Sequence, residues 1–509
     1  MKRALISVWD KTNIVELSKF LIKNNYEIIS TGGTKKLLIE NNIDVISISE
    51  ITESKEMMDG RVKTLHPKIF GGILADRLNQ SHMDDLKSIN GKTIDLIIVN
   101  LYPFENMATD SSIPFDKLIE YIDVGGPSML RAAAKNYNSV ITICSPDDYN
   151  DFMLNSLKND GLLTSAKRKE YASKVFLETS KYDSIIYNKF IEDKDSNSLS
   201  NSINIKLNKS FDLRYGENPH QEASFYTDKA SSCWKQLSGK KLSYNNFFDM
   251  ESSISIVKEF EEACCCIIKH SNPCGFSKGK NLIECFERAV SCDPISYFGG
   301  IVGFNKKLDI ETAKKIIEPF LECIICPDIE PEALDILKMK KNLRVIIYNK
   351  AFNFSNFSIR SVMGGMLYQT LSKGIVDTNS WQVVTKIKPK QKHLEAMKLG
   401  WKIVKYVKSN AIAISNKNQI LSVGAGQMSR VDSVKIAIQK IRENGLSIND
   451  AVLASDAFFP FSDCIEIANS FGIKHFIQTG GSIKDKEVIK VANELGVSMT
   501  FTGQRLFFH

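Results

Sequence analysis

Short apolar runs separated by amphipathic stretches predict an α/β chain of two regions joined by a polar linker. Three observations carry this. Over roughly the first 145 residues, apolar runs alternate with helical patterns, as parallel βαβ units require. Residues 192–208 are rich in Asp, Ser, Asn and Lys and poor in large apolar groups, which places a first domain over 1–196, a linker over 197–209 and a second region over 210–509. Beyond that stretch strands and helices mix again, over a length that suits two subdomains.

The elements come in order along the chain. Residues 4–8 read as a strand, 14–23 as a helix, 28–29 as a strand, 35–40 as a helix and 45–48 as a strand. A longer apolar strand is expected at 94–99, helices at 115–122 and 129–135, a strand at 140–143 and a helix over 165–187. In the second region, 263–268 and 301–304 read as strands, and 282–291 and 310–318 as helices. An apolar strand, a polar turn and a helix occur at 267–287 and again near 452–471, a hint of internal duplication.

Composition narrows the function classes. With 43% hydrophobic and 25% charged residues, the 509-residue chain can fill its cores without metal or disulfide staples. Its net charge of +7 is spread over 66 basic and 59 acidic residues, with no block that would track a nucleic-acid backbone. Eleven cysteines without framework spacing fit a reducing cytoplasm. The apolar stretch at the N-terminus meets Asp10 too early for a signal peptide, and no run approaches the ~20 apolar residues of a membrane span, so a soluble protein is expected.

Four pieces of the first region bear polar chemistry. Ser30-Thr31-Gly32-Gly33-Thr34 joins a strand to a helix, a turn whose backbone N–H groups suit a phosphate; an ordinary strand-to-helix connection fits the same residues. Asp59-Gly60-Arg61-Val62-Lys63-Thr64-Leu65-His66 sets two long cations at alternate positions, pointing one way if extended. Tyr102 comes just after the strand at 94–99, and Asp123-Val124-Gly125-Gly126 opens a helix carrying Arg131 and Lys135. Together they suggest one cleft with phosphate donors, cations, a phenol and a carboxylate.

In the second region, Cys266-Ile267-Ile268-Lys269-His270 ends an apolar strand on an amine and an imidazole, with turn residues after them. A zinc deaminase is the rival reading, since His220-Gln221-Glu222 and Pro273-Cys274 match parts of its signature. The second cysteine of that signature would fall at Ser277, so catalytic zinc is not expected. Cys264 to Cys266 alternate faces of a strand and read as core. Farther on, Gly424-Ala425-Gly426-Gln427-Met428-Ser429-Arg430 is a strand-to-turn motif ending on a cation. Phe458, Phe459 and Phe461 share a loop that suits either an aromatic ligand or a buried plug.

On Leu5-Ile6-Ser7-Val8, Ser30-Thr31-Gly32-Gly33-Thr34, Gly60-Arg61-Val62-Lys63-Thr64-Leu65-His66-Pro67, Leu130-Arg131-Ala132-Ala133-Ala134-Lys135-Asn136, Leu213-Arg214-Tyr215-Gly216-Glu217-Asn218-Pro219-His220-Gln221, Lys269-His270, the motifs at 424–430 and 455–461, and Arg505-Leu506-Phe507-Phe508-His509, the chain resembles the bifunctional AICAR transformylase and IMP cyclohydrolase family almost end to end. The resemblance implies a methylglyoxal-synthase-like N-terminal parallel-sheet domain and a transformylase of two cytidine-deaminase-like subdomains. It implies formyl transfer from 10-formyltetrahydrofolate to AICAR, then ring closure to IMP with loss of water, without catalytic zinc and leaving a monovalent cation open. A cytoplasmic homodimer with transformylase sites drawing on both subunits is implied, with no nucleic-acid or membrane partner.

Residue by residue, the resemblance makes Lys269, His270 and Asn410 the transformylase centre and Lys63, Tyr102, Asp123 and Lys135 the cyclohydrolase centre. Lys11, Ser30, Thr31, Gly32, Gly33, Thr34, Arg61 and Thr64 are implied to bind the nucleotide in the first region. Arg214, Tyr215, Gly299, Glu322 and Arg430 take that part in the second, with Phe458, Pro460 and Phe461 on the folate side. Trp9 stands where the family leads one to expect a small residue such as serine. A first domain that only senses a phosphate ligand is the alternative; the joint presence of Lys63, Tyr102, Asp123 and Lys135 favours catalysis.

Overall fold

The computed structural model describes every residue except 111, 159–162, 192–198, 200, 201, 206, 228–232, 352–356 and 372–376. Two compact units divide the chain, Met1–Lys206 and Leu207–His509. The expected linker at 197–209 falls partly outside the described residues.

In the first unit β1 (Lys2–Val8), β2 (Tyr26–Ser30), β3 (Ile46–Ser47), β4 (Leu96–Asn100) and β5 (Ile141–Ile143) form one parallel sheet in the order β3-β2-β1-β4-β5. Alternate residues go to opposite faces: Ala4, Ile6 and Ile98 join one buried cluster, while Leu5, Ile97 and Val99 join another. Helices α1 (Ile14–Lys23), α2 (Gly32–Glu40), α3 (Gly125–Lys135) and α4 (Ser165–Ile191) are the main helices beside this sheet. The strand order runs one way from β1 and then restarts at β4, so the topological switch point lies between the carboxyl ends of these two strands.

Local chemistry moves some boundaries. The strand expected over 45–48 is only β3, because Ser47 and Glu50 form a capping box that starts a short helix at Ile48–Thr52. The helix expected over 115–122 is split into Phe115–Leu118 and a tighter turn at Ile119–Tyr121. Helix α3 starts before the expected Met129, since the Asp123 carboxylate accepts the Gly126 N–H at 2.8 Å.

The second unit opens on a ribbon of β6 (Asn208–Asp212) and β7 (Ser224–Thr227). Next come β8 (Trp234–Ser238), α5 (Tyr244–Val257), β9 (Ala263–Lys269), β10 (Asn272–Gly279), α6 (Leu282–Cys292), β11 (Ile301–Phe304), β12 (Cys323–Cys326) and β13 (Arg344–Tyr348), with sheet order β10-β9-β11-β12-β13-β8. A second ribbon, β14 (Phe357–Val362) with β15 (Gly365–Thr370), precedes β16 (Gln382–Val383), α7 (Gln391–Val404), β17 (Ile412–Ser415), β18 (Ile420–Gly424), α8 (Arg430–Glu443), β19 (Val452–Ser455), β20 (His475–Gln478) and β21 (Ser498–Phe501). Their sheet reads β18-β17-β19-β20-β21-β16, the same plan as the first, with the same parallel and antiparallel neighbours. The duplication hinted at in the sequence is therefore real, but its pairing differs. Residues 267–287 correspond to the β17–β18 hairpin and α8, whereas 452–471 correspond to β11 and its helix.

One expected turn is a strand. Only His270 and Ser271 separate β9 from β10, which begins at Asn272 and contains the Pro273 and Gly275 read as turn residues. Both fit because β10 is an edge strand with an irregular register between Pro273 and Gly275. A Cβ on Gly275 would meet the Ala289 carbonyl oxygen of α6 at 2.2 Å, so glycine lets this helix approach. Cys264 and Cys266 enter one core cluster and Cys265 another, which bears out their reading as packing residues. The first of these clusters also holds Trp401, Ala413, Ile420 and Ala454, so the two sheets of this unit share a core.

Candidate functional site

In the first unit, the side chains at the switch point are held by backbone contacts. Asn100, at the end of β4, accepts the N–H groups of Trp9 and Asp10 at 2.6 and 2.9 Å and donates to the Asp10 carbonyl at 2.9 Å, fixing the loop that leaves β1. Trp9 lies against Tyr102, with ring centroids 4.8 Å apart and planes at 47°. Lys11 donates to the Trp9 carbonyl at 3.3 Å, and its Nζ lies 3.9 Å from where a Cβ on Gly33 would stand.

The Ser30 hydroxyl is buried and donates to the Ile6 carbonyl at 2.7 Å. Thr34 Oγ1 both accepts from the Val8 N–H at 3.1 Å and donates to the Val8 carbonyl at 3.0 Å. These two hydroxyls build the turn, which leaves the N–H groups at the start of α2, from Gly32 and Gly33, as the outward donors. Thr31 Oγ1 reaches Glu56 at 3.3 Å, and Lys63 pairs with the same carboxylate at 3.2 Å, so Glu56 draws the α2 turn and the 60–67 loop together.

Asp123 is partly buried. Desolvation pushes its carboxyl above the ordinary range, against the pull of the Gly126 and Gly125 N–H groups. Thr64 is buried beside it, with Oγ1 2.9 Å from where a Cβ on Gly125 would stand. Arg61 pairs with Glu120 on the exposed side. Lys135 is not brought to this cluster within the chain: it ends the helix that Asp123 begins, and ten residues of rise put its backbone about 15 Å along the axis.

In the second unit the β9–β10 turn holds Lys269 and His270. His270 (φ 51°) and Ser271 (φ 61°) are both left-handed, as a two-residue hairpin of this hand requires, although neither is glycine. Asp249 of α5 holds the turn by accepting the Ser271 N–H at 2.6 Å; burial raises its carboxyl, while the neighbouring Ser271 N–H and His270 pull it back. Lys269 Nζ donates to the Phe298 carbonyl at 2.5 Å and lies 3.2 Å from where a Cβ on Gly299 would stand.

Glu322 accepts from Asn246 at 3.2 Å and from the buried Arg344 at 3.4 Å. A cavity of about 200 Å³ is lined by Glu322, Arg344 and Arg214. The Arg214 guanidinium lies over the Tyr215 ring, 5.2 Å from its centroid. Asn272 Oδ1 accepts the Lys408 N–H at 2.9 Å, tying the hairpin to the segment that leads to Asn410.

Asn410 is fully engaged: Oδ1 accepts from Arg430 at 2.9 Å, and Nδ2 donates to the Gln427 and Met428 carbonyls at 3.1 Å each. Arg430 is buried and paired with the fully buried Asp456, with Ser455 Oγ at 2.8 Å, so its guanidinium supports Asn410 from beneath and is not open to a nucleotide. Residues late in the chain close over this pair, the Leu506 N–H donating to the Asp456 carbonyl and the Ser409 N–H to the Phe508 carbonyl, both at 2.9 Å. In the aromatic loop Phe459 is fully buried against Phe476, Phe458 is half-buried and Pro460 is exposed; Phe461 is exposed beneath the Lys484 ammonium. The loop is thus partly plug and partly open surface.

Sequence reasoning missed Glu56, Asn100, Asp249, Arg344 and, as a counter-ion, Asp456. Each acts through a partner remote in the chain; only Asp456, in the stretch at 455–461, and Asn100, at the head of Asn100-Leu101-Tyr102-Pro103-Phe104, lie in recognisable motifs. Among the described residues no group of three or more His, Cys, Asp or Glu is placed to hold a metal, and no helix is long and apolar enough to cross a membrane.

Comparison with known proteins agrees with this layout. Residues 13–128 match the MGS-like domain, and residues 133–440 match the AICARFT/IMPCHase bienzyme family. The chain is 45% identical over the full length of both proteins to the bifunctional purine biosynthesis protein PurH of Caldicellulosiruptor saccharolyticus. It is 46% identical, again over all of both chains, to the proteins of that name from Bacillus mycoides and Bacillus cereus. The chain therefore belongs to the AICAR formyltransferase and IMP cyclohydrolase bienzyme family.

Proposed function

We propose that formyl transfer takes place at the β9–β10 turn, with His270 as proton acceptor and Lys269 as the cation beside it, and that ring closure takes place at the switch point of the first unit. The observation that carries the first part is the turn itself. Two non-glycine residues are held at positive φ by Asp249, which puts an exposed imidazole next to an amine already aimed at Gly299.

The donor is 10-formyltetrahydrofolate. The amine of the nucleotide attacks the formyl carbon, His270 takes the amine's proton as the new C–N bond forms, and the folate nitrogen leaves with a proton that Lys269 can supply. Asn410 polarises the formyl oxygen once an Nδ2 hydrogen is released from the Gln427 or Met428 carbonyl; exposed Met428 is the easier of the two to move. Arg214, Tyr215 and Glu322 hold the nucleotide, Arg430 orients Asn410, and Phe458, Pro460 and Phe461 face the folate.

In ring closure the carboxamide nitrogen attacks the formyl carbon and the resulting hydroxyl leaves as water. Lys63 and Tyr102 are suited to the developing oxyanion, and Asp123, raised by burial, to proton transfer. The N–H groups of Gly32 and Gly33, with Lys11, take the phosphate. A homodimer is part of this reading, since Lys135 lies away from Asp123 within one chain. Eleven free thiols, none of them exposed, suit the cytoplasm.

The test is His270→Ala. Formyl transfer should fall by ~10²–10⁴-fold, as for a lost general base, while ring closure in the same preparation is unchanged. Near-normal transformylase turnover at saturating nucleotide and folate would remove this turn as the reaction centre.

A further inference from the structure

Trp9 takes no part in the proton transfers of ring closure, yet it occupies the place in the first unit where a ligand is most expected. It leaves the carboxyl end of β1, and Tyr102 leaves the carboxyl end of β4, the two strands that flank the switch point. The rings meet at 4.8 Å and 47°, and both stay open, with Trp9 45% and Tyr102 43% exposed. Two aromatic rings held side by side and half in solvent present an apolar face on which a planar group can stack. The backbone here is rigid, because Asn100 clamps both Trp9 and Asp10.

The neighbouring groups define the chemistry of that partner. Within the same loop, Lys11 lies by Gly33 at the N-terminal end of the nine-residue α2, so an anion bound there would leave the rest of its molecule beside the two rings. A tilted, half-exposed pair offers an aromatic face, which suits a planar heterocycle joined to a phosphate.

We propose that Trp9, with Tyr102, forms the wall on which the base of the formylated nucleotide stacks before ring closure, making Trp9 a positioning residue of the cyclohydrolase. This rests on the reading of the switch point as the ring-closing site. Trp9 touches the base and not the phosphate, so its loss acts on binding of molecules that carry a base.

The experiment uses the full chain with Trp9→Ser and Trp9→Phe. In Trp9→Ser the KM for the formylated nucleotide in ring closure should rise about tenfold, the size expected for one lost stacking contact, with kcat within about twofold. Trp9→Phe should restore most of the affinity. Ribose 5-phosphate, which lacks a base, should inhibit ring closure with the same Ki in all three proteins. An unchanged KM, or a Ki for ribose 5-phosphate that rises in parallel with KM, would overturn the proposal, the second by showing that Trp9 shapes the phosphate turn instead. Tyr102→Ser assayed alongside separates the two readings: if it too leaves ring closure untouched, the site assignment fails, whereas sensitivity at Tyr102 alone removes only Trp9.

Discussion

Asp456 has no contact with solvent, and its charge is balanced by the guanidinium of Arg430 and by the Ser409 hydroxyl at 2.5 Å. Removing one member of such a pair strands the other charge in the interior. Asp456→Ala should therefore destabilise the second unit by about 3–5 kcal/mol and lower transformylase activity, while the first unit melts as before; calorimetry that resolves two transitions reads this directly. The residue scale is also where the sequence is read least evenly. Lys269 and His270 stand out because two ionisable groups end an apolar run, and Arg430 because it closes a glycine-rich turn. What Arg430 does was not legible, since its partners Asp456 and Asn410 lie 26 and 20 residues away and burial alone decides that it faces inward. Asp249, on a helix with no motif around it, carries no local signal at all.

Among elements, α7 and β20 bring His393 and His475 together as stacked imidazoles with centroids 3.6 Å apart. His475 is pushed down to about 4, by burial first and by His393 second, while its Nδ1 is 2.7 Å from Ser498 Oγ and His393 lies 3.3 Å from Asp450. Because the folded value lies below the ordinary 6.5, the unfolded chain takes up the proton more readily. This contribution to stability is complete above about pH 6.5 and is lost as pH falls toward 4. His475→Gln should flatten the decline in melting temperature across that window relative to the unaltered chain; an identical slope in both would show that other groups govern it. At this scale the sequence is read well in the first unit, where every strand expected from apolar periodicity is present. It is read less well at β10, because Pro273 and Gly275 are turn residues by local chemistry and strand residues only by virtue of an edge position and a close helix.

For the molecule as a whole, two units with their own cores and separate chemistry predict that each works alone. A cut within 197–209 should give a first fragment that closes the ring and a second that transfers formyl groups, the latter sedimenting as a dimer when active. Loss of ring closure in a well-folded first fragment, or an active monomer of the second, would count against that arrangement. The two-region plan was legible from composition, and the duplication only as a hint, because it lies in the strand order and pairing, which apolar periodicity along the chain does not fix. The second unit is also completed late in biosynthesis. Leu506 and Phe508 dock onto Asp456 and Ser409, so the neighbourhood of Asn410 is unfinished until these residues have left the ribosome. The roughly 300 residues between the unit boundary at 206 and Leu506 take about 15–60 s to translate, at the usual ~5–20 residues per second. During biosynthesis the first unit is thus complete well before the surroundings of Asn410 are, and every nascent chain passes through a stage with one finished unit and one open site.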